Sequence, residues 1–250
     1  MGFEVNVEGP RRMFCILSGS GEDANVVFSI SESVVTGWLV ILIILAVCLI
    51  LTKDLKKIPE TKRQCAAEYI VNTVNNMVSV NMDKNSIAYA PYIAAVFSYI
   101  IIGTLISMIG FRSITADISV TGGLAFMTFV LVTVTKFKYM GVGGYFKQFI
   151  NPLNIIGEVA NPVAMALRLF GNVSGGMIIT MILYAGLGAA SGALYHVIGI
   201  PEIQGVGYVF NIFQVGIPAV LSIYFDLFSG AIQSYVFIML TMAYIQMGKE

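Results

Sequence analysis

Apolar residues fall in blocks too long for the helices of an ordinary soluble domain. Residues 34–51 form one such run, closed by Lys53, Lys56 and Lys57. In residues 62–82, Ala66, Tyr69, Ile70, Val74, Met77 and Val78 are spaced among charges and amides, which predicts an amphipathic helix lying along the membrane surface. Two uncharged runs, 87–110 and 118–135, flank a short loop with Arg112 and Asp117 and read as a transmembrane hairpin. A polar connector, 136–148, leads to two longer apolar regions, 153–198 and 205–247. Continuous helices of that length would reach roughly 60 to 70 Å, about twice the hydrocarbon thickness. They must tilt, break or protrude; Pro162, Pro218, Gly186, Gly188 and Gly192 are the candidate break points.

The expected fold is an all-α membrane protein with about five transmembrane helices and one amphipathic interfacial helix, the last two spans being long and strongly tilted. Residues 1–250 form a single membrane domain, divided into an outer N-terminal segment (1–33), a first span (34–51), an interfacial helix (62–82), a hairpin (87–135) and two long helices (153–247). Composition agrees: 57% of the residues are hydrophobic and 11% charged, where soluble domains carry about 25% charge. Mean hydropathy is +0.84.

A formal net charge of zero points to neither an acidic nor a basic partner, and nucleic acid is not expected. Placement of the basic residues says more. Ten of fourteen fall in the connectors and tail assigned to the cytoplasm, leaving Arg11, Arg12 and Arg112 outside and Arg168 within the membrane. By the positive-inside rule the N-terminus is outside and the C-terminus cytoplasmic. The first run has its positive charges after it rather than before it, so it reads as a retained span and not a cleaved signal. Cys15, Cys48 and Cys65 lack the spacing of a disulfide framework or a metal site.

Arg168 is the residue that most needs a function. A charge in mid-membrane costs a few kcal/mol or more on insertion scales of about 2.5 to 3.5 kcal/mol, so it should face protein, water or a partner carboxylate. Asn154, Asn161 and Arg168 recur every seven residues and Asn172 follows four later, placing four polar side chains along one helix face beside Glu158. The last region repeats the pattern with Ser222, Asp226, Ser229 and Gln233. Asp226 is the single acid in 205–247, and a deep unpaired carboxyl has raised proton affinity and can relay a proton. The plainer readings are helix–helix hydrogen bonding for Gln233, an interfacial site for Glu158 and a loop position for His196. Gly171, Gly175 and Gly176 permit another helix to approach closely.

The segment Leu167-Arg168-Leu169-Phe170-Gly171-Asn172, with Pro162-Val163 before it, resembles the arginine motif of the subunit a family of F-type ATP synthases. The resemblance continues in residues 231–237 with Leu240, Thr241, Tyr244 and Ile245, and in residues 115–121. Met177 stands nine positions beyond the arginine, where many relatives carry an acid, and Asp226 occupies a variable His/Glu position.

The resemblance implies an ion-translocating stator subunit with two half-channels against a rotating c-ring, and no catalytic site in this chain. The outer half-channel would use Asp226, Ser229 and Gln233; the inner one Asn154, Glu158 and Asn161. Arg168, followed by Asn172, separates them. Implied partners are the c-ring, the subunit b stalk, the remaining synthase subunits and membrane lipid, in a bacterial plasma membrane. No cofactor is implied, and the translocated ion is H+ with Na+ as the alternative. A secondary transporter with a buried arginine site is the competing class, although no paired interrupted segments suggest inverted repeats.

Overall fold

The computed structural model describes residues 12–18, 25–53, 56, 61–109, 111, 113–148, 152–198, 220–221 and 223–249. It opens with an antiparallel ribbon, β1 (Arg12–Ser18) and β2 (Asn25–Ser31), in which Cys15 faces Ser29 and Ile16 faces Phe28. The helical expectation holds for the membrane part, while this ribbon was hidden in what read as an undifferentiated N-terminal segment. Its strands are short and lack a clean two-residue alternation, so period alone does not reveal them.

Helix α1 (Glu32–Leu51) follows β2 directly, with Glu32 in its first turn, where a negative charge complements the helix dipole. Its apolar residues run all round, and Trp38, Leu42 and Leu49 are exposed, as suits a helix bathed by lipid. Helix α2 (Lys62–Asn81) is capped by Thr61, whose side chain accepts from the Gln64 amide at 3.4 Å. It buries Val78 and exposes Tyr69, Ile70, Val71 and Val80. A 3-10 turn (Lys84–Tyr89) leads into α3 (Ala90–Leu105), and α4 (Ile118–Gln148) returns. Tyr89 and Tyr92 of this hairpin bond Thr135 and Thr128 at 3.0 and 2.9 Å. These bonds fix the register between α3 and α4.

The loop between α3 and α4 is tucked in rather than draped outside. Ser113, Ile114, Thr115, Ala116 and Asp117 are all buried. Gly103 makes room for them: a Cβ there would lie 2.2 Å from Ile114 Cδ1. Asp117 caps α4 by accepting from the Ser119 amide at 2.9 Å, and Ser31 at the start of α1 donates to its other oxygen at 3.4 Å. Arg112 lies outside the described residues.

Two boundaries differ from the sequence expectation. Helix α4 runs on past residue 135 to Met140 and is interrupted at Gly141, whose φ of 72° suits glycine. Lys136 therefore sits on the helix instead of in a polar connector. Helix α5 (Pro152–Ile198) is continuous for 47 residues, through Pro162 and through the glycines taken as break points. At 1.5 Å per residue it extends about 70 Å. Residues 199–219, including Pro218, lie outside the described residues.

The chain closes with a seven-residue π-helical segment, Ile223–Ser229, and α6 (Gly230–Met247). Among the described residues, five helical segments are long and apolar enough to cross a membrane: Glu32–Leu51, Ser86–Leu105, Ile118–Gly141, Ile156–Ala193 and Leu227–Met247. A common core joins α2 to α6 through Val78, Ile93, Ile100, Val132, Met165, Leu169, Phe237 and Met242. Met165 and Leu169 fasten the arginine turn of α5 to this core.

Candidate functional site

Burying Met165 and Leu169 decides where Arg168 goes. It lies at the edge of the inward face, and its side chain is exposed. No described residue forms a hydrogen bond or ion pair with its guanidinium. The surface beside it is smooth: Ala160, Ala164 and Gly171 are exposed, and a Cβ added at Gly171 or Gly175 would meet nothing within 4 Å. An unpaired guanidinium thus stands on an open, small-residue face of an apolar helix. That face can accept a closely packed partner helix bearing a carboxylate.

One turn later, Asn172 points toward the closing helix. Its Nδ2 donates to the Ser229 carbonyl at 3.2 Å, and Ser229 Oγ donates to Asn172 Oδ1 at 2.6 Å. Asp226 belongs to the π-helical segment that ends at this pair; its side chain, and Ser222, lie outside the described residues. Gln233 is half-buried on α6, and its Nε2 is buried without a partner among the described residues. The structure therefore unites Asn172 and Ser229 directly, keeps Asp226 in the adjoining backbone segment, and leaves Gln233 with an unspent donor.

Toward the other end of α5, a cavity of about 280 Å³ opens between α4, α5 and α6. Asn154, Glu158 and Asn161 all line it, as their shared helix face implies. Pro162 is also at the wall; lacking an N–H, it leaves the Glu158 carbonyl without its helical donor. Lys136 enters from α4 and pairs with Glu158, Nζ to Oε2 2.5 Å, with both side chains mostly buried. Thr128 and Tyr244 complete the polar lining. Sequence spacing misses Lys136 because its partner lies 22 positions away on another helix.

Tyr145, on the short helical stretch after Gly141, is buried beside the same carboxylate. Burial pushes its phenol above the ordinary value, and the Glu158 charge adds to the rise. His196 has no described side chain, while Met177 is half-buried and offers no ionisable group. Among the described residues no cluster of three His, Cys, Asp or Glu side chains could hold a metal.

A multispan helical fold with an arginine unpaired among the described residues and a polar cleft on the same helix is that of a membrane protein that passes ions or binds a charged substrate. Comparison with known proteins specifies which kind: residues 34–246 match the ATP synthase A chain family, and this chain belongs to that family. It is 31% identical to the sodium-ion-specific ATP synthase subunit a of Propionigenium modestum over 96% of this chain and 85% of the relative. A subunit a of Pelobacter propionicus is 30% identical over 86% of each chain, and that of Geobacter sulfurreducens 31% over 62% and 72%. The family forms part of the ion-translocating membrane sector of ATP synthase rather than its catalytic sector. Membership removes the secondary-transporter reading and makes the chain a multi-pass membrane subunit of an ATP synthase.

Proposed function

We propose that the open face of α5 lies against the c-ring, with Arg168 opposite the rotor carboxylates and a half-channel on either side of it. The outer half-channel uses Asp226, Ser229 and Gln233, with Asn172 bracing it; the inner one is the cleft of Asn154, Glu158 and Asn161. The observation that carries this reading is the free guanidinium exposed in mid-helix on a face nothing in the described chain covers.

The chemistry follows from charge. At a low-dielectric interface a fixed guanidinium favours the ionised form of a passing carboxylate, promoting ion release, and repels a cation leaking directly between channels. An ion that cannot cross directly must ride the rotor around. Each elementary charge moved yields about 2.3 kcal/mol per 100 mV, so rotation must accumulate several before one ATP is made.

The proposed ion is H+. Na+ is a second reading, favoured by the sodium-specific relative that aligns with 96% of this chain. We place the subunit in a bacterial plasma membrane as a single membrane domain spanning 1–250, beside the subunit b stalk, with its N-terminus outside and its C-terminus cytoplasmic. The distribution of basic residues supports that orientation. A cysteine at position 168 of the assembled complex, tested for crosslinking to cysteines along the c-ring helix, checks the rotor-facing assignment; failure at every ring position would exclude it.

A further inference from the structure

We propose that Lys136 is a built-in counter-cation of the inner cleft, holding Glu158 as a neutral pair so that translocated cations pass the carboxylate without lodging on it. This rests on the inner half-channel reading and adds to it a residue outside the arginine helix. The pair is an integral part of the cleft: both partners line the cavity and both are mostly buried at a 2.5 Å contact. The lysine stem runs close to Gly248, where an added Cβ would approach Lys136 Cγ to 3.1 Å.

Without such a cation the cleft would present a trap. Glu158 Oε1 is buried without a geometric hydrogen-bond partner among the described residues, and Asn154 and Asn161 line the same cavity. A buried carboxylate on a polar cleft wall has the chemistry that binds a monovalent cation or a proton. The groups facing it are few. Lys136 comes from α4, Tyr145 from the stretch after Gly141 and Tyr244 from α6, while Arg168 is ten residues along α5, about 15 Å away. Lys249 on the final turn is engaged elsewhere, over the rings of Tyr89 and Tyr139 at 5.2 and 5.6 Å. Lys136 is therefore the one cation in contact with Glu158 among the described residues.

Removing the ammonium leaves a buried carboxylate with no counter-charge, which a passing cation can then occupy. An unpaired carboxylate retains a cation and slows its release, whereas a neutral group in its place lets ions pass.

The test uses the purified synthase reconstituted into vesicles, with ATP-driven uptake of H+ and of radioactive Na+ measured against pH on the cleft side. Lys136→Met, with the c-ring still copurifying, is expected to add a new titration of transport that the wild type lacks, with uptake falling on the alkaline side. Lys136→Met/Glu158→Gln should erase that titration whatever its absolute rate, and Lys136→Arg should never show it. If Lys136→Met yields no complex, the reversed pair Lys136→Glu/Glu158→Lys decides: a wild-type curve supports the proposal and a new titration overturns it. An unchanged curve in assembled Lys136→Met, or a titration surviving Glu158→Gln, also overturns it. The half-channel reading is judged separately by Arg168→Ala: coupled transport in that variant would sink the reading itself, whatever Lys136 does.

Discussion

Asn172 and Ser229 exchange two hydrogen bonds across the interface between the arginine helix and the π-helical segment: Asn172 donates to the Ser229 carbonyl and accepts from the Ser229 hydroxyl. A π-helical turn shifts the backbone ladder by one residue and is strained relative to α-helix, and such turns concentrate at functional sites. Here an amide from a neighbouring helix satisfies the carbonyl where the π segment hands over to α6. Asn172→Ala should therefore accelerate amide hydrogen exchange across Ile223–Ser229 by about tenfold, while exchange in α3 stays unchanged; helix-bridging bonds in membranes are worth about 0.6 to 1.7 kcal/mol. Uniform exchange behaviour in the two proteins would show that the pair does not secure the segment.

Arg168→Ala is expected to abolish ion-driven ATP synthesis while leaving the complex assembled. The guanidinium forms no bond within the described chain, so removing it costs the fold little. Arg168→Lys should not restore full coupling, because an ammonium lacks the planar fork and can lose its proton when buried. Synthesis rate and c-ring copurification, measured on the same preparation, separate the two effects.

Asp226→Asn should reduce H+ uptake by about a hundredfold, within the range a positioned acid–base group contributes. Gln233→Ala should cost only a few-fold, since an amide orients but does not exchange protons at ordinary pH. If the ion is Na+, the two variants should converge, because carbonyl and amide oxygens can replace much of a hydration shell. Parallel measurement of H+ and Na+ uptake in both variants thus reports the ion as well as the residue.

Gly103→Ala should lower the yield of folded subunit. Its methyl group would meet Ile114 Cδ1 at 2.2 Å, and overpacking of this sort costs about 1 to 3 kcal/mol. Ile114→Ala in the same chain should recover most of the loss, measured as the melting temperature of the detergent-solubilised complex. A further drop in the double variant would contradict the steric account.

Much of this was legible in the chain itself because membrane helices announce themselves by length and apolarity. The heptad of Asn154, Asn161 and Arg168 also revealed a shared face, since residues on one helix are related by its period alone. What stayed hidden was set between elements. The Lys136–Glu158 pair joins two helices across a loop, and positive charge after an apolar run reads as a boundary unless a buried acid holds it inside. Burial of the α3–α4 loop is hidden because its Ser, Thr and Asp are polar, yet they satisfy one another and the start of α4, as the Ser113–Thr115 contact of 2.9 Å and the Asp117 cap illustrate. Pro162 is a candidate break by residue type, but the helix passes through it: losing one donor at a polar cleft is a local matter when neighbouring turns stay packed.

The unbroken length of α5 carries a consequence of a different kind. A stiff apolar rod about twice as long as the membrane is thick cannot stand upright in it, so its inclination is set partly by the bilayer. A thinner membrane lays the rod flatter and a thicker one raises it, carrying Arg168 along the membrane normal and changing its height relative to a rotor of fixed dimensions. Lipid chain length thereby becomes a tuning parameter of the motor, one that acts without touching any residue of the ion path.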